Sequence, residues 1–321
     1  MKFLTGWLIG LLFLGTFSEA GADWFSEVKV GVFIHFLPGS AERFAQVETY
    51  DVETLAEQLK TLGVTHFVFT IYQNSGYLNA PNATYDRVTG YAPGERCAKR
   101  DLPMDLANAL EKRGIRLILY VTGQTPNRDI LAQKAFGLEQ GPKDQKIDLT
   151  FAKRWGEVLQ EWSVRYGTKV SGWWVDGCYA WIDFNEEIAE IYRDALKKGN
   201  PEALVAFNPG VKRAEWKTSD YTAGEINEPM EVVLEPSAGT SPRTQILTFM
   251  GNFWGKPETR YPAEEWSRWI SSILKQGGVV TLDVAMNWDS QVAPVGTIAP
   301  QHFRQLQKIM KSVSRTDVLS E

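Results

Sequence analysis

Continuous apolar runs alternate along this chain with segments whose apolar positions recur every three or four residues. That alternation predicts strand–helix pairs repeated from end to end. Residues 28–36 read as a first strand. Val52, Leu55, Ala56, Leu59 and Leu62 then share one face of a helix over residues 52–62, which Gly63 terminates. The same reading places strands at 66–73, 115–122, 171–177, 203–208, 221–226, 244–250 and 279–286. Helices are expected at 103–113, 151–166, 186–197, 263–275 and from 300 to about 313. Strands mostly separated by helices, without a Pro/Gly/Ser-rich linker or an internal repeat, predict the α/β class: a single (β/α)8 TIM-type barrel over residues 23–321. A doubly wound open sheet is the competing architecture. It is expected to carry a glycine-rich phosphate turn after its first strand, and Phe36-Leu37-Pro38-Gly39-Ser40 is not one. The pattern is weakest between 221 and 242, where no helix is legible.

The first residues read as an address. Lys2 precedes an apolar run over 3–17, and Ala20-Gly21-Ala22 supplies a small-x-small cleavage pattern. The run is short for a membrane span, is interrupted by Gly6, Gly10 and Gly15, and lacks a basic stop-transfer flank. Residues 1–22 are therefore expected to be a signal peptide, and the mature protein to be secreted or periplasmic, with no membrane attachment after cleavage.

Composition narrows the partner. The formal net charge is −5 and both signs are interspersed, which excludes the basic face of a nucleic-acid binder. With only two cysteines, Cys97 and Cys178, and three histidines, no disulfide framework, metal site or cofactor is expected. Whether the two cysteines pair is left open, as is the oligomeric state. Twelve tryptophans fit either a large core or a cleft for sugar rings.

In a barrel the chemistry sits where strands end. Ser171-Gly172-Trp173-Trp174-Val175-Asp176-Gly177 carries Asp176 to such an end, with Trp174 two positions back on the same side. A carboxylate beside an indole suits a sugar, which offers C–H faces and hydroxyls together. An aspartate capping the next helix is the alternative. Other strand ends contribute His35, Gln73 with Asn74, Tyr120 with Thr122, Asn208, Glu225 with Glu228, Asn252 with Trp254, and Asn287-Trp288-Asp289. Amides, carboxylates and indoles suit a neutral, polyhydroxylated ligand. His66, at a strand start, and His302, in the last helix, are expected to be structural.

These residues resemble the α-L-fucosidases of glycoside hydrolase family 29. Val28-Lys29-Val30-Gly31-Val32-Phe33-Ile34-His35-Phe36 is similar to that family's first-strand motif, and Leu62-Gly63-Val64-Thr65-His66-Phe67-Val68-Phe69-Thr70 to its second. Arg100-Asp101-Leu102 with Arg113-Gly114-Ile115-Arg116-Leu117 is similar to its next helix and strand. Trp174-Val175-Asp176-Gly177 matches Trp-Phe-Asp-Gly, whose aspartate is the nucleophile. Gly277-Gly278-Val279-Val280-Thr281-Leu282-Asp283-Val284 resembles Gly-Gly-Asn-Leu-Leu-Leu-Asn-Val. The chain departs from the family after its second strand, where Gln73-Asn74-Ser75-Gly76-Tyr77 replaces His-His-Asp-Gly-Phe. The histidine pair binds fucose hydroxyls in the family; amides hydrogen-bond hydroxyls as well but never become cationic, so the sugar held here can differ from fucose.

The resemblance implies an exported, retaining glycosidase acting on a carbohydrate by double displacement, with terminal α-L-fucose or a similar sugar as substrate. Asp176 would be the nucleophile and Glu225 the acid/base, their carboxyl groups roughly 5–5.5 Å apart. Asp220-Tyr221-Thr222-Ala223-Gly224-Glu225 resembles the family's Tyr-Thr-Pro-Glu segment with one residue inserted. Glu228 and Glu235 are reserves for the acid, and Glu231 is expected at the surface. Trp174 would stack on the sugar or shape its pocket; His35, Gln73, Asn74, Tyr120 and Trp254 would line it, and Arg213 would orient the nucleophile or bind substrate. The alternatives are a related glycosidase that is endo-acting or specific for another sugar, and a catalytically silent carbohydrate-binding barrel.

Overall fold

Seven parallel strands form the centre of the protein: β1 (Val30–Ile34), β2 (His66–Thr70), β3 (Arg116–Thr122), β4 (Gly172–Asp176), β5 (Leu204–Phe207), β6 (Gln245–Phe249) and β7 (Val279–Val284). Their order across the sheet is β5-β4-β3-β2-β1-β7-β6, and every pairing is parallel. All carboxyl ends therefore open on one side. This computed structural model describes residues 24–138, 145–211, 213–232, 234 and 243–318; the expected leader over 1–22 and the reserve acid Glu235 lie outside them.

The helices between the strands follow the periodicity closely: Val52–Leu62, Leu102–Glu111, Leu149–Tyr166, Glu186–Lys197, Ala263–Lys275 and Pro300–Val318. Four begin at a side-chain cap. Asp51, Asp101, Asp148 and Asn185 each accept a hydrogen bond from the backbone N–H three residues on, an arrangement that stabilises each helix by about 1 kcal/mol. Four short helices, Trp24–Glu27, Ala41–Ala45, Ala83–Thr89 and Ile130–Phe136, were not expected, because four to seven residues are too few to show a 3.6-residue period.

Alternation along the strands divides the core into two. Val30, Val32 and Ile34 of β1, Phe67 and Phe69 of β2, and Trp173 and Val175 of β4 pack outward against the helices. Phe33, Val68, Ile118, Tyr120, Trp174, Ala206, Leu247 and Val279 point to the concave face and meet in a second cluster. Trp24 and Phe25 from the short helix Trp24–Glu27 join that cluster. The architecture is thus a seven-stranded half-barrel flanked by helices.

The strand expected at 221–226 is a correction. Among the described residues it makes only isolated bridges, Tyr221 with Arg243 and Glu225 with Leu247. Side chains supplement the few backbone bonds: Asp220 and Ser219 accept from the N–H groups of Val205 and Phe207 on β5, and Thr222 Oγ1 accepts from Gln245 N at β6. The segment still spans from one edge strand to the other, since Asp220 N donates to Val205 O and Ile226 N to Leu247 O. Both exposed sheet edges gain partners in this way. Tyr221 and Ala223 meanwhile enter the inner cluster.

Gly224 makes this docking possible. Its φ is +67°, and a Cβ there would collide with the carbonyl oxygen of Gln245. Gly224→Ala is expected to destabilise the fold by about 3 kcal/mol in chemical denaturation and to lower activity in step, because the neighbouring Glu225 is displaced.

Candidate active site

The open end of the half-barrel holds a cavity of 450 Å³. Gln73 and Asn74 after β2, Tyr120 on β3, Trp174 and Asp176 on β4, Glu225 on the bridging segment, Trp254 after β6 and His35 after β1 all line it. The catalytic and sugar-binding residues expected from the sequence thus converge from strand ends, adjoining loops and the bridging segment, Arg213 excepted, whereas the strand-end candidates Asn252, Asn287, Trp288 and Asp289 are not among the lining residues. Arg213 is exposed and is not among the residues lining the cavity, which corrects its expected place beside the nucleophile. Glu228 is a surface residue paired with the Tyr261 hydroxyl, at 3.2 Å, and Glu231 is exposed as expected.

Asp176 is held on both oxygens. Oδ1 accepts from Gly177 N and from Asn208 Nδ2, each at 2.8 Å, and Oδ2 accepts from the Tyr120 hydroxyl at 2.5 Å. Tyr120 is in turn fixed by Gln73, whose Nε2 donates to its oxygen at 2.8 Å. Burial and the neighbouring Asp176 charge push the Tyr120 phenol well above its ordinary range, so it stays a donor. These three donors stabilise the carboxylate and fix its rotamer.

Asn208 does more than the sequence suggested. The same Nδ2 that reaches Asp176 also donates to Glu225 Oε2 at 2.5 Å. The two carboxylate oxygens therefore lie no farther apart than these two bonds laid end to end. Burial first, and the Asp176 charge second, raise Glu225 from the ordinary 4.5 to about 7; the Asn208 hydrogen bond and His35 pull the other way. Two acids in one cavity, one of them kept protonated near neutral pH, are equipped for different tasks.

Trp174 serves the site from below. It is buried, stacks nearly parallel on Tyr120 with ring centroids 5.3 Å apart, and donates Nε1 to Ala223 O at 3.0 Å. Its polar edge thus anchors the segment that carries Glu225, and its ring shapes the floor. Most other tryptophans are core residues: Trp155, Trp162, Trp173 and Trp266 are fully buried. Trp254 lines the cavity and meets His35 edge to face at 5.6 Å.

Asp283 is a site residue that the sequence did not single out. Almost wholly buried on β7, it accepts from His35 Nδ1 and from Gly255 N, both at 2.6 Å. A carboxylate cannot donate, so the shared proton sits on His35 Nδ1 and the ring's other nitrogen is left for the cavity. Asp283 also fixes the loop that presents Trp254. Asp283→Ala is expected to cost about 1–2 kcal/mol of stability by thermal or chemical denaturation, since two half-buried donors lose their acceptor. The remaining histidines are structural in their contacts. His66 Nε2 lies 2.8 Å from Thr281 Oγ1 and burial lowers its pKa to about 3, while His302 accepts from Ala285 N. Cys97 and Cys178 are buried and unbonded to each other, and no cluster of metal-ligating side chains occurs among the described residues.

Two carboxyl groups thus converge at the carboxyl ends of a parallel half-barrel, beneath indole and amide walls. The chain belongs to the alpha-L-fucosidase family, whose sequence profile matches residues 39–312. No curated protein matches it. Among solved structures it is similar to the endo-fucoidan hydrolase MfFcnA4 of glycoside hydrolase family 107, with a TM-score of 0.70 at 15% identity over 90% of this chain and 53% of that one. It is also similar to alpha-L-fucosidase isoenzyme 1 from Paenibacillus thiaminolyticus, with a TM-score of 0.66 at 18% identity over 92% of this chain and 76% of that one. For a family 29 alpha-L-fucosidase from Bacteroides thetaiotaomicron, solved as a trapped covalent intermediate, the TM-score is 0.64 at 17% identity, over 92% of this chain and 74% of that one. The chain spans about half the length of the endo-fucoidan hydrolase. At these identities the likeness is one of fold.

Proposed function

We propose that this protein is an exported, retaining glycosidase that releases α-L-fucose or a closely similar sugar from a glycan or polysaccharide. The observation that carries the reading is the pair of acids held on one Asn208 amide. Their oxygens on Asn208 are closer than the roughly 6.5–9.5 Å that an inverting enzyme needs to seat a water, which favours the shorter spacing of a retaining one. The segment over 219–226 would act as the eighth stave of the barrel, its purpose being to deliver Glu225.

In the first half-reaction Asp176 attacks the anomeric carbon as the C–O bond to the aglycone breaks, and Glu225 passes its proton to the departing oxygen. A glycosyl ester on Asp176 results. Glu225, now ionised, takes a proton from water, which attacks the same carbon and releases Asp176 as carboxylate. Tyr120, Gly177 and Asn208 stabilise that carboxylate as it leaves. The trapped intermediate of the Bacteroides enzyme supports this course by family membership. His35, Gln73, Asn74 and Trp254 would hold the sugar's hydroxyls and C–H face.

A panel of aryl glycosides tests the substrate. Turnover of the aryl α-L-fucoside, lost in Asp176→Ala, is expected; turnover of only another glycoside would move the specificity, and glycan binding without any turnover would leave a carbohydrate-binding protein in place of an enzyme.

A further inference from the structure

Beside the catalytic cavity lies a second one of 210 Å³, to which the mechanism above assigns no part. The two share a wall of Gln73, Asn74, Asp176 and Tyr179. The loop after β3 supplies Gln124, Thr125 and Asn127 to the smaller cavity, and the loop after β4 supplies Ile182. It is therefore built over β2, β3 and β4, whereas Glu225 stands between β5 and β6, on the far side of Asp176. The leaving group has to sit beside Glu225, the proton donor. What enters the second cavity is then attached to the glycone, at a hydroxyl other than the anomeric one.

The lining says what kind of group that is. The side-chain amides of Asn74 and Asn127 have no hydrogen-bond partner among the described residues, and each presents two donors and an acceptor. Gln124 is fixed by donating Nε2 to Gln145 O at 2.5 Å, which leaves its Oε1 as an acceptor. The hydroxyl of Thr125, just behind the wall, is buried with no hydrogen-bond partner among the described residues. Ring-shaped, hydroxylated ligands satisfy such a wall, and the volume suits one pyranose. No lysine or arginine is among the described residues lining either cavity, so nothing there compensates a sulfate ester. On the rim, Trp181 stacks on Tyr179 with centroids 4.2 Å apart and remains 49% exposed, offering an aromatic face beside the opening.

We propose that the second cavity is a subsite for a further, uncharged sugar residue linked to a non-anomeric hydroxyl of the reacting one. The enzyme then cleaves behind a substituted residue, within an oligosaccharide, and not only behind a terminal sugar. This rests on the glycosidase reading of the neighbouring cavity.

Steady-state kinetics of the full chain test it, with an aryl α-L-fucoside, the aryl glycosides of (1→2)-, (1→3)- and (1→4)-linked fucobiose, and their sulfated counterparts. At least one unsulfated fucobioside is expected to show kcat/KM about tenfold or more above the monosaccharide and to release intact disaccharide. Gln124→Ala and Asn127→Ala should each lower that value about fivefold to tenfold and leave the aryl fucoside within about twofold, which also shows that the variants fold. Efficient turnover of the aryl fucoside with no gain from any fucobioside, or equal losses on both substrates in the variants, would overturn the subsite and leave the fucosidase reading standing. A preference for the sulfated substrates would overturn the uncharged assignment. Turnover of neither class would overturn both readings together.

Discussion

Asp176→Gly is expected to lower turnover of an aryl α-L-fucoside by at least about 10⁴-fold while the protein remains folded, because the carbon under attack loses its covalent partner. Sodium azide should restore part of the rate. The small anion enters the space that the carboxylate occupied, attacks the anomeric carbon from that side and stays bonded to it, so the product is the β-fucosyl azide. Mass spectrometry and the coupling constant of the anomeric proton identify it. An unchanged rate in Asp176→Gly would remove the residue from the reaction, and the hydrogen bonds from Tyr120, Gly177 and Asn208 would then have to be read as serving a structural carboxylate.

The second large effect concerns pH. Because the proton on Glu225 is held to about pH 7, kcat/KM should fall above that value as the acid is lost, approaching tenfold per pH unit. In Glu225→Gln this limb should vanish, with losses of about 10²–10⁴ for substrates whose leaving group needs the proton and much smaller losses for a dinitrophenyl aglycone. If poor leaving groups are cleaved normally by Glu225→Gln, the acid lies elsewhere. The same shift bears on stability. A carboxyl whose pKa rises on folding binds its proton more tightly in the folded chain, so its stabilising contribution is fully present below 4.5 and is lost as pH climbs through about 7. Replacing Asp176 with Asn removes the second cause of the shift. The Glu225 titration, followed by isotope-edited NMR, should then move toward lower pH.

The parts of this site that were legible in the sequence are those that local pattern determines. An apolar run ending in Asp-Gly delivers a carboxylate to the mouth of a parallel sheet whatever its neighbours are, so Asp176 could be placed from seven residues. His35, Gln73, Asn74, Tyr120 and Trp254 follow from the same rule applied to other strands. The relations between these positions were not legible. Asn208 reads as an ordinary residue at a strand end, and nothing local says that one amide nitrogen serves two acids. Asp283 sits within an apolar run, and its partner His35 is 248 positions away. The segment over 221–226 reads as a strand because its inward residues, Tyr221 and Ala223, keep strand-like alternation, whereas its backbone pairing is limited to isolated bridges that side-chain bonds supplement. Arg213 lies where no periodicity operates, so its charge suggested a role that its position does not support.

Departures from the family pattern also gain a physical meaning. Gln73, in the place of a histidine, spends its amide on Tyr120, and through Tyr120 on the nucleophile, while the Asn74 side chain, with no partner among the described residues, lines both cavities. Asp283, in the place of an asparagine, gives His35 an anionic partner. The site therefore keeps the first-strand histidine of the family motif, His35, and carries amides where the family has its second-strand histidine pair.

The most direct measurement is the configuration of the sugar at the moment of release. Proton NMR of the reaction in deuterated buffer, recorded before mutarotation mixes the anomers, should show α-fucose appearing first from an aryl α-L-fucoside. First appearance of the β anomer would mean that water attacks the glycoside directly, and the ester on Asp176 would have no place in the reaction.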